Sequence, residues 1–382
     1  MKKIGIITST PSFINNYGAV LQAFALQTQL RNMGMDPYII KYADDNEYVR
    51  GKAGFFERMK GTILNPRYTT RYKLRLITNK LFHRSVYPLF ESFQDKHLTF
   101  YNNKYLNYDG LKTIGTEFDS FIVGSDQVWN PNVHNGINDP GYFLQFVPEG
   151  IKRIAYAPSM GINVLPDECK KNLGEYLESF DSLSIREESG RCLIKEICGI
   201  DVQVVVDPTL LLLKSDYETI KDCSRCPQKP YILYYKFGKL DTVEKLVARL
   251  SNETGYEVVC VPAGLDTRFK PDYQIGPSQF IGLISNAQAI CTDSFHAAVF
   301  AIIYEKPLLA FCREDSKSKI NMNSRIEGLL NSLDLTSAWF GMGENGDNIH
   351  FPVHDYCKTR LILAKKRDEG ITYLRNAIGN NE

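Results

Sequence analysis

Two short polar stretches, each placed directly after an apolar run, carry side chains suited to gripping an anion and moving a proton. In Asp293-Ser294-Phe295-His296 the strand-like Ala289–Cys291 runs into a helix whose cap is Ser294 or Asp293, which leaves His296 in the first turn. Unpaired N–H groups and the positive end of the helix dipole make such a start a seat for phosphate or carboxylate. His296 is also one of only six histidines in the chain, and imidazole is the side chain best suited to exchanging protons near neutrality. The bland alternative is a structural histidine at a helix start.

Arg186 follows the strand-like Ser182–Ile185 and opens another helix, in Ser184-Ile185-Arg186-Glu187. A cation is electrostatically unhelpful there unless an anion needs it, or unless it pairs with Glu187 or a nearby acid. Arg325, in Asn323-Ser324-Arg325, is a weaker candidate of the same kind. Gly124-Ser125-Asp126-Gln127-Val128-Trp129-Asn130 joins a close-approach glycine, a carboxylate and one of only two tryptophans. Trp129 beside Asp126 and Asn130 reads equally as a sugar platform or as ordinary core.

The elements that must position these groups alternate between strand and helix. Lys3–Thr8, Asp36–Tyr42, Asp119–Val123, Arg153–Ala157, Ser182–Ile185 and Gln203–Val206 are short apolar runs, as buried parallel strands are. The helix between the first two has Ala19, Val20, Ala23, Phe24, Leu26, Gln27 and Leu30 at helical spacing. The rhythm breaks at Leu213–Pro230 and resumes with strands at Tyr231–Tyr235, Glu257–Val261, Ala289–Cys291 and Leu308–Phe311. Helices are expected near Pro277–Asn286, Phe295–Tyr304, Ser324–Ser332 and Tyr356–Asn376. The expected architecture is α/β, with two Rossmann-like domains facing a cleft. They cover residues 1–215 and 228–345, and a helical segment follows at 346–382. A basic stretch near 48–108, with Arg50, Lys52, Arg58, Lys60, Arg67, Arg71, Lys73, Arg75, Lys80 and Arg84, is expected to be a helical insertion. It reads as a solvated face, or as a patch for an anionic membrane leaflet or a phosphorylated acceptor.

Composition narrows the classes. The 382 residues hold 45 Lys and Arg against 44 Asp and Glu, so no nucleic-acid partner is expected. Neither a signal peptide nor a membrane span of ~18 apolar residues is visible, which leads to an expectation of a cytosolic protein. The nine scattered cysteines read as reduced thiols. The lone Cys223-Ser224-Arg225-Cys226 lacks the second pair of a structural zinc site, so no metal is expected. GxGxxG and Walker A runs are absent, which counts against NAD and ATP.

Taken in order, Asn16-Tyr17-Gly18-Ala19, Phe118-Asp119-Ser120-Phe121-Ile122-Val123-Gly124-Ser125-Asp126, Ser184-Ile185-Arg186-Glu187, Val206-Asp207-Pro208-Thr209 and Asp293-Ser294-Phe295-His296 with Lys306-Pro307 resemble the polysaccharide pyruvyl transferase family. The resemblance covers roughly Ile4 to Pro307 and rests on order and spacing, since no single motif decides it. It implies a GT-B-like fold, with the donor held by the C-terminal domain and the acceptor by the N-terminal one. The implied reaction moves a carboxyvinyl unit from phosphoenolpyruvate, a co-substrate, onto sugar hydroxyls of a surface polysaccharide, usually as a ketal. No other cofactor is implied.

Residue by residue, the resemblance carries over His296 as a catalytic candidate and Arg186 as a donor-binding one; the chemistry asked of the site adds Asp126 as a second catalytic candidate, and position adds Ser294 and Arg325 on the donor side. Asn16, Gly18, Trp129 and Asn130 face the acceptor, a sugar or lipid-linked oligosaccharide, with peripheral contact at the inner membrane face. Many members carry an arginine two residues before the histidine. Ser294 stands there in this chain, which leaves the clamp to Arg186 and to Arg325 or a lysine. A nucleotide-sugar glycosyltransferase on the same scaffold, or a non-catalytic scaffold of a polysaccharide-assembly complex, are the alternatives.

Overall fold

Strand β1 (Lys3–Ile7) is apolar enough to be covered on both faces, and it takes a central place in a four-stranded sheet. The order is β2 (Asp36–Ile40), β1, β3 (Ser120–Val123), β4 (Lys152–Ala155), and every pairing is parallel. A parallel pair, β5 (Ser184–Ile185) and β6 (Gln203–Val204), continues the layer. Ala155 N donates to Ser182 O at 2.9 Å across that junction. The second sheet runs β11 (Trp339–Phe340), β10 (Leu308–Phe311), β9 (Ala289–Thr292), β7 (Tyr231–Lys236), β8 (Glu257–Pro262), again all parallel. These two Rossmann-like halves fulfil the α/β expectation. The computed structural model describes residues 1–9, 16–43, 86–102, 104–238, 241–262, 267–270, 272, 274–312, 323–341 and 348–379.

Between the sheets lie two helices that are buried almost all round, α1 (Tyr17–Asn32) and a later one, Phe295–Ile303. Only an interior position suits such a helix, and the two pack on each other across the halves. The core around them includes Ile4 and Ile6 of β1 together with Leu233 and Tyr235 of β7. Alternate residues of β7, Ile232 and Tyr234, turn to a separate core on the outer face of the second sheet, as the two-residue period of a strand requires. The ring of Tyr17 stacks on Phe280 at 4.3 Å, and its hydroxyl donates to Ile275 O at 2.8 Å. The halves are therefore joined by packed apolar surface, and the polar site lies at its edge.

Chain order then gives α2 (86–97), α3 (Tyr108–Lys112), α4 (Asp167–Glu178), α5 (Glu188–Cys198), α6 (Lys214–Glu218), α7 (Asp241–Thr254), α8 (Pro277–Asn286), α9 (Phe295–Ile303), α10 (Ser324–Ser332) and α11 (Tyr356–Ile378). Helix α11 returns to the first half. Tyr373 Oη donates to Ala155 O at 2.9 Å, Arg367 Nε to Leu210 O at 2.9 Å, and Lys152 Nζ reaches Ala377 O at 3.1 Å. Of the basic stretch near 48–108, the ten named cations from Arg50 to Arg84 lie outside the described residues. Its later part forms α2, with Val86, Phe90 and Phe93 buried against the central core. Among the described residues no helix is long and apolar enough to cross a membrane.

Candidate active site

Helix α9 begins as its sequence predicts. Ser294 is the N-cap, its Oγ 3.4 Å from Ala297 N, while Asp293 accepts from Phe237 N and Gly238 N at 2.8 and 2.7 Å. That arrangement puts His296 in the first turn, 8 % exposed and at the edge facing the first half. The imidazole seats against Gly18 in the first turn of α1, where a Cβ would lie 2.0 Å from Nδ1. Its Nε2 points to Asp207, with Oδ2 at 3.6 Å, longer than a hydrogen bond but within ion-pair range.

Asp207 is the hub. It follows β6, and Pro208 starts a short 3₁₀ turn that aims the carboxylate inward. Oδ1 accepts from Thr209 N at 3.0 Å and Thr209 Oγ1 at 2.6 Å. Oδ2 accepts from Arg186 Nη1 at 2.9 Å and lies 3.0 Å from Ser125 Oγ. Burial alone would push this carboxyl up. His296, Arg186 and Thr209 together outweigh burial and hold it well below the usual carboxylate range. Burial would likewise lower Arg186, but Asp207, Glu187 and Asp126 reverse this and raise it, so the guanidinium stays charged.

Arg186 is 7 % exposed, stacked with its Cζ 4.5 Å from the centre of the Phe295 ring. Only Nη1 is hydrogen-bonded. Nε, 3.7 Å from Glu187 Oε2, and Nη2 have no hydrogen-bond partner among the described residues, and neither does His296 Nε2. Buried donors are normally satisfied, so three orphans within one cluster mark a place where a ligand's acceptors belong. Of the nearby acids, Glu187 keeps one buried oxygen, Oε2, without a hydrogen bond among the described residues, 3.7 Å from Arg186 Nε. Glu187 Oε1 takes Ser159 Oγ, Met160 N and Gly161 N at 3.0, 2.9 and 3.2 Å, and Asp207 has the partners given above.

Arg186 also walls a cavity of about 260 Å³ between the start of α5 and α10. Arg325, Ser189, Ser324, Phe295 and Lys366 share its lining with the acids Glu187, Glu188, Asp207 and Glu369. Arg325 and Arg186, far apart in sequence, are thus brought to one cavity, and Lys366 of α11 is a cation there that the sequence did not single out.

The Gly124 loop behaves in part as expected. A Cβ on Gly124, whose φ is +118°, would meet Tyr156 O at 2.0 Å, so only glycine fits. Asp126, buried and with φ 70°, adds to the field on Arg186. Ser125, which the sequence reading passed over, links Asp207 to β1. Its N donates to Gln22 Oε1 at 3.1 Å, and Gln22 Nε2 donates to Thr8 Oγ1 at 2.8 Å.

Trp129 corrects the platform reading. It is 1 % exposed, stacks on Phe143 at 5.0 Å and 5°, and donates Nε1 to Tyr142 O at 2.9 Å. One face and the polar edge are used internally, Phe180 packs against the ring at 5.8 Å, and the side chain is buried, so no sugar can stack on it. Asn130 is buried and holds its own turn, with Nδ2 to Gln127 Oε1 at 2.7 Å and Oδ1 accepting from Asn132 N at 3.0 Å. Asn16 caps α1, accepting from Ala19 N at 3.3 Å. Gly18 makes room for His296. Asp207, the residue most central to the cluster, lay in a recognised polar loop, and the signal for it was an acid at a strand's carboxyl end followed by proline.

The description "Polysaccharide pyruvyl transferase" belongs to the family model that matches residues 16–313. No curated protein matches the chain significantly. Among solved structures, a UDP-GlcNAc 2-epimerase from Methanocaldococcus jannaschii is 14% identical over 98% of this chain and 99% of its own, with a TM-score of 0.45. The S. aureus MnaA–UDP co-structure is 14% identical over 100% and 99%, at 0.44. The E. coli ADP-heptose lps heptosyltransferase II is 13% identical over 95% and 99%, at 0.36. The fold itself rests on the two parallel sheets.

Proposed function

The chain belongs to the polysaccharide pyruvyl transferase family, and from that premise we propose that it transfers the carboxyvinyl unit of phosphoenolpyruvate to a sugar and closes a ketal. The observation that carries this reading is the set of unsatisfied buried donors, Arg186 Nε and Nη2 with His296 Nε2, gathered around Asp207. Phosphoenolpyruvate brings a carboxylate and a phosphate, whose oxygens are the acceptors that a guanidinium fork and a helix start favour. A cavity of about 260 Å³ falls below the ~300–1,000 Å³ typical of drug-sized ligands. Of the cluster, Arg186 and Asp207 line this cavity and His296 does not.

In this reading Arg186 grips one anionic group, and Arg325 with Lys366 takes the other in the adjoining cavity. Ser294 contributes by starting α9 at the right place. Protonated His296, its charge balanced by Asp207, delivers a proton to C3 of the donor. The cationic character created at C2 is attacked by a sugar hydroxyl, whose proton passes to Asp126 or to the now neutral His296. Phosphate leaves, and a second hydroxyl of the same sugar closes on C2 to give the ketal, its proton passing to the departing phosphate. Proton transfer of this kind is worth ~10²–10⁴ in rate. The reading calls for no metal or further cofactor, and its acceptor is a sugar or lipid-linked oligosaccharide met by the first half.

Calorimetric titration of the full chain tests it with phosphoenolpyruvate in one cell and UDP- and GDP-sugars in others. Saturable binding of phosphoenolpyruvate, weakened by Arg186→Ala, is expected. Binding of a nucleotide sugar alone would move the chain to the glycosyltransferase alternative, and no donor binding at all would favour the scaffold.

A further inference from the structure

Between α6 and β7 the chain makes a turn at Asp222-Cys223-Ser224-Arg225-Cys226, closed by Cys226 N donating to Cys223 O at 3.0 Å. The turn is fastened to α8. Asp222 N donates to Ser278 O at 3.1 Å, Asp222 Oδ2 accepts from Gln279 Nε2 at 2.6 Å, and Asp222 Oδ1 accepts from Ser224 N at 2.8 Å. At the far end of α8, Asn286 Nδ2 lies 3.3 Å from Cys223 Sγ and 3.7 Å from Cys226 Sγ. Both sulfurs therefore flank one amide nitrogen. A hydrogen-bonded four-residue turn holds its end Cα atoms within ~7 Å, which overlaps the ~4.4–6.8 Å that a disulfide spans.

The two thiols differ in access. Cys223 is exposed and Cys226 is half-buried, and burial, then the neighbouring Cys223, pushes the Cys226 thiol up to about 11. Metal capture is the competing use of a Cys-x-x-Cys pair, but among the described residues no cluster of three or more His, Cys, Asp or Glu side chains gathers there.

We propose that Cys223 and Cys226 form a reversible intramolecular disulfide when the protein meets a low-molecular-weight disulfide oxidant. The exposed Cys223 thiolate attacks one sulfur of the oxidant, forming a mixed disulfide and releasing one thiol. Cys226 then gives up its proton and attacks Cys223 Sγ, expelling the second thiol. Two protein thiols are oxidised and one small disulfide is reduced to two thiols, so atoms and electrons balance. The bond would close in the segment that joins the two halves, beside the helix whose Phe280 stacks on Tyr17.

Oxidised glutathione is the probe. The folded chain is treated, quenched in acid, alkylated under denaturing conditions and mapped by peptide mass. The expected result is a Cys223–Cys226 peptide that lacks both alkyl groups and regains them after dithiothreitol. Cys226→Ser should instead accumulate a glutathione adduct on Cys223, and Cys223→Ser should accumulate neither adduct nor disulfide at this turn. A stable adduct on Cys223 in the unsubstituted chain, a bond from either residue to another cysteine, or two thiols that stay alkylatable would each overturn the proposal. The readout is independent of donor binding, so its failure leaves the transferase reading untouched.

Discussion

Gly18 makes the seat of His296: a Cβ at Gly18 would fall 2.0 Å from the imidazole Nδ1 and 2.4 Å from Cγ. Two helices from different halves meet there, so the first turn of α1 dictates where the imidazole of α9 stands. Alanine at position 18 must push the ring off Asp207 or part the helices. Gly18→Ala is expected to destabilise the fold by ~1–3 kcal/mol, as overpacking does. It should also lower turnover toward the level of His296→Ala, ~10²–10⁴ below the parent. In a His296→Ala background the stability penalty of Gly18→Ala should vanish, because the obstructing ring is gone. Denaturant midpoints of the four proteins check this, and a penalty that persists would show that the two positions are uncoupled.

Asp207 gives a pH dependence with a definite sign. Burial is the largest influence on its carboxyl and acts upward, yet His296, Arg186 and Thr209 together leave the folded value well below the unfolded one. Its contribution to stability is therefore complete above the ordinary carboxylate value of ~4 and is lost progressively as pH falls below it. Asp207→Asn should be less stable at neutral pH by ~3–5 kcal/mol, the cost of leaving a buried charge without its partner. Its stability should also fall less steeply than the parent's below about pH 4. Denaturant unfolding from pH 7 to pH 3 measures both, and parallel acid limbs would mean that Asp207 is not the depressed group.

The framework was legible because its strands are buried on both faces. Tyr231–Tyr235 and Leu308–Phe311 are unbroken apolar runs bounded by polar or turn residues, which leaves little choice but a parallel sheet under helices. The start of α9 was legible too, through the Ser294 cap. Strand β11 was not, since two residues, Trp339 and Phe340, carry no periodicity and pair only because β10 offers an edge. Trp129 misled because a tryptophan beside Asp and Asn has the composition of a sugar site, and burial between Phe143 and the carbonyl of Tyr142 depends on residues more than ten positions away. Asp207 escaped a role for a related reason. Its meaning arises from Arg186 and His296 converging on one oxygen, a relation between strand ends that no linear spacing encodes.

Arg186 holds Asp207 with Nη1, leaves Nε and Nη2 without hydrogen bonds among the described residues, and sits over the Phe295 ring. Lysine keeps the charge but loses the fork and the stack. Arg186→Lys is expected to raise the donor KM by ~10-fold or more, the equivalent of about 1.4 kcal/mol, with a smaller change in kcat. Steady-state kinetics with varied phosphoenolpyruvate make the measurement. An unchanged donor KM would take Arg186 out of the donor site.

The shared apolar core bears on how the halves behave as bodies. Tyr17 of the first half stacks on Phe280 and meets Tyr235 at 5.6 Å, and a single cluster of buried side chains runs from β1 through α1 and α9 to β7. Domains joined by large hydrophobic interfaces do not move freely, so the two halves should unfold together. The chain's two tryptophans make this testable, because Trp129 lies in the outer core of the first half and Trp339 in the edge strand of the second sheet. In Trp339→Phe the remaining fluorescence reports the first half, and in Trp129→Phe it reports the second. Within each variant, the fluorescence midpoint in denaturant should coincide with the midpoint from far-ultraviolet circular dichroism, as a two-state transition demands. Tyr17→Ala should move both signals to lower denaturant together. A first-half signal that melts apart from the second would mean that the interface around Tyr17 does not couple the halves.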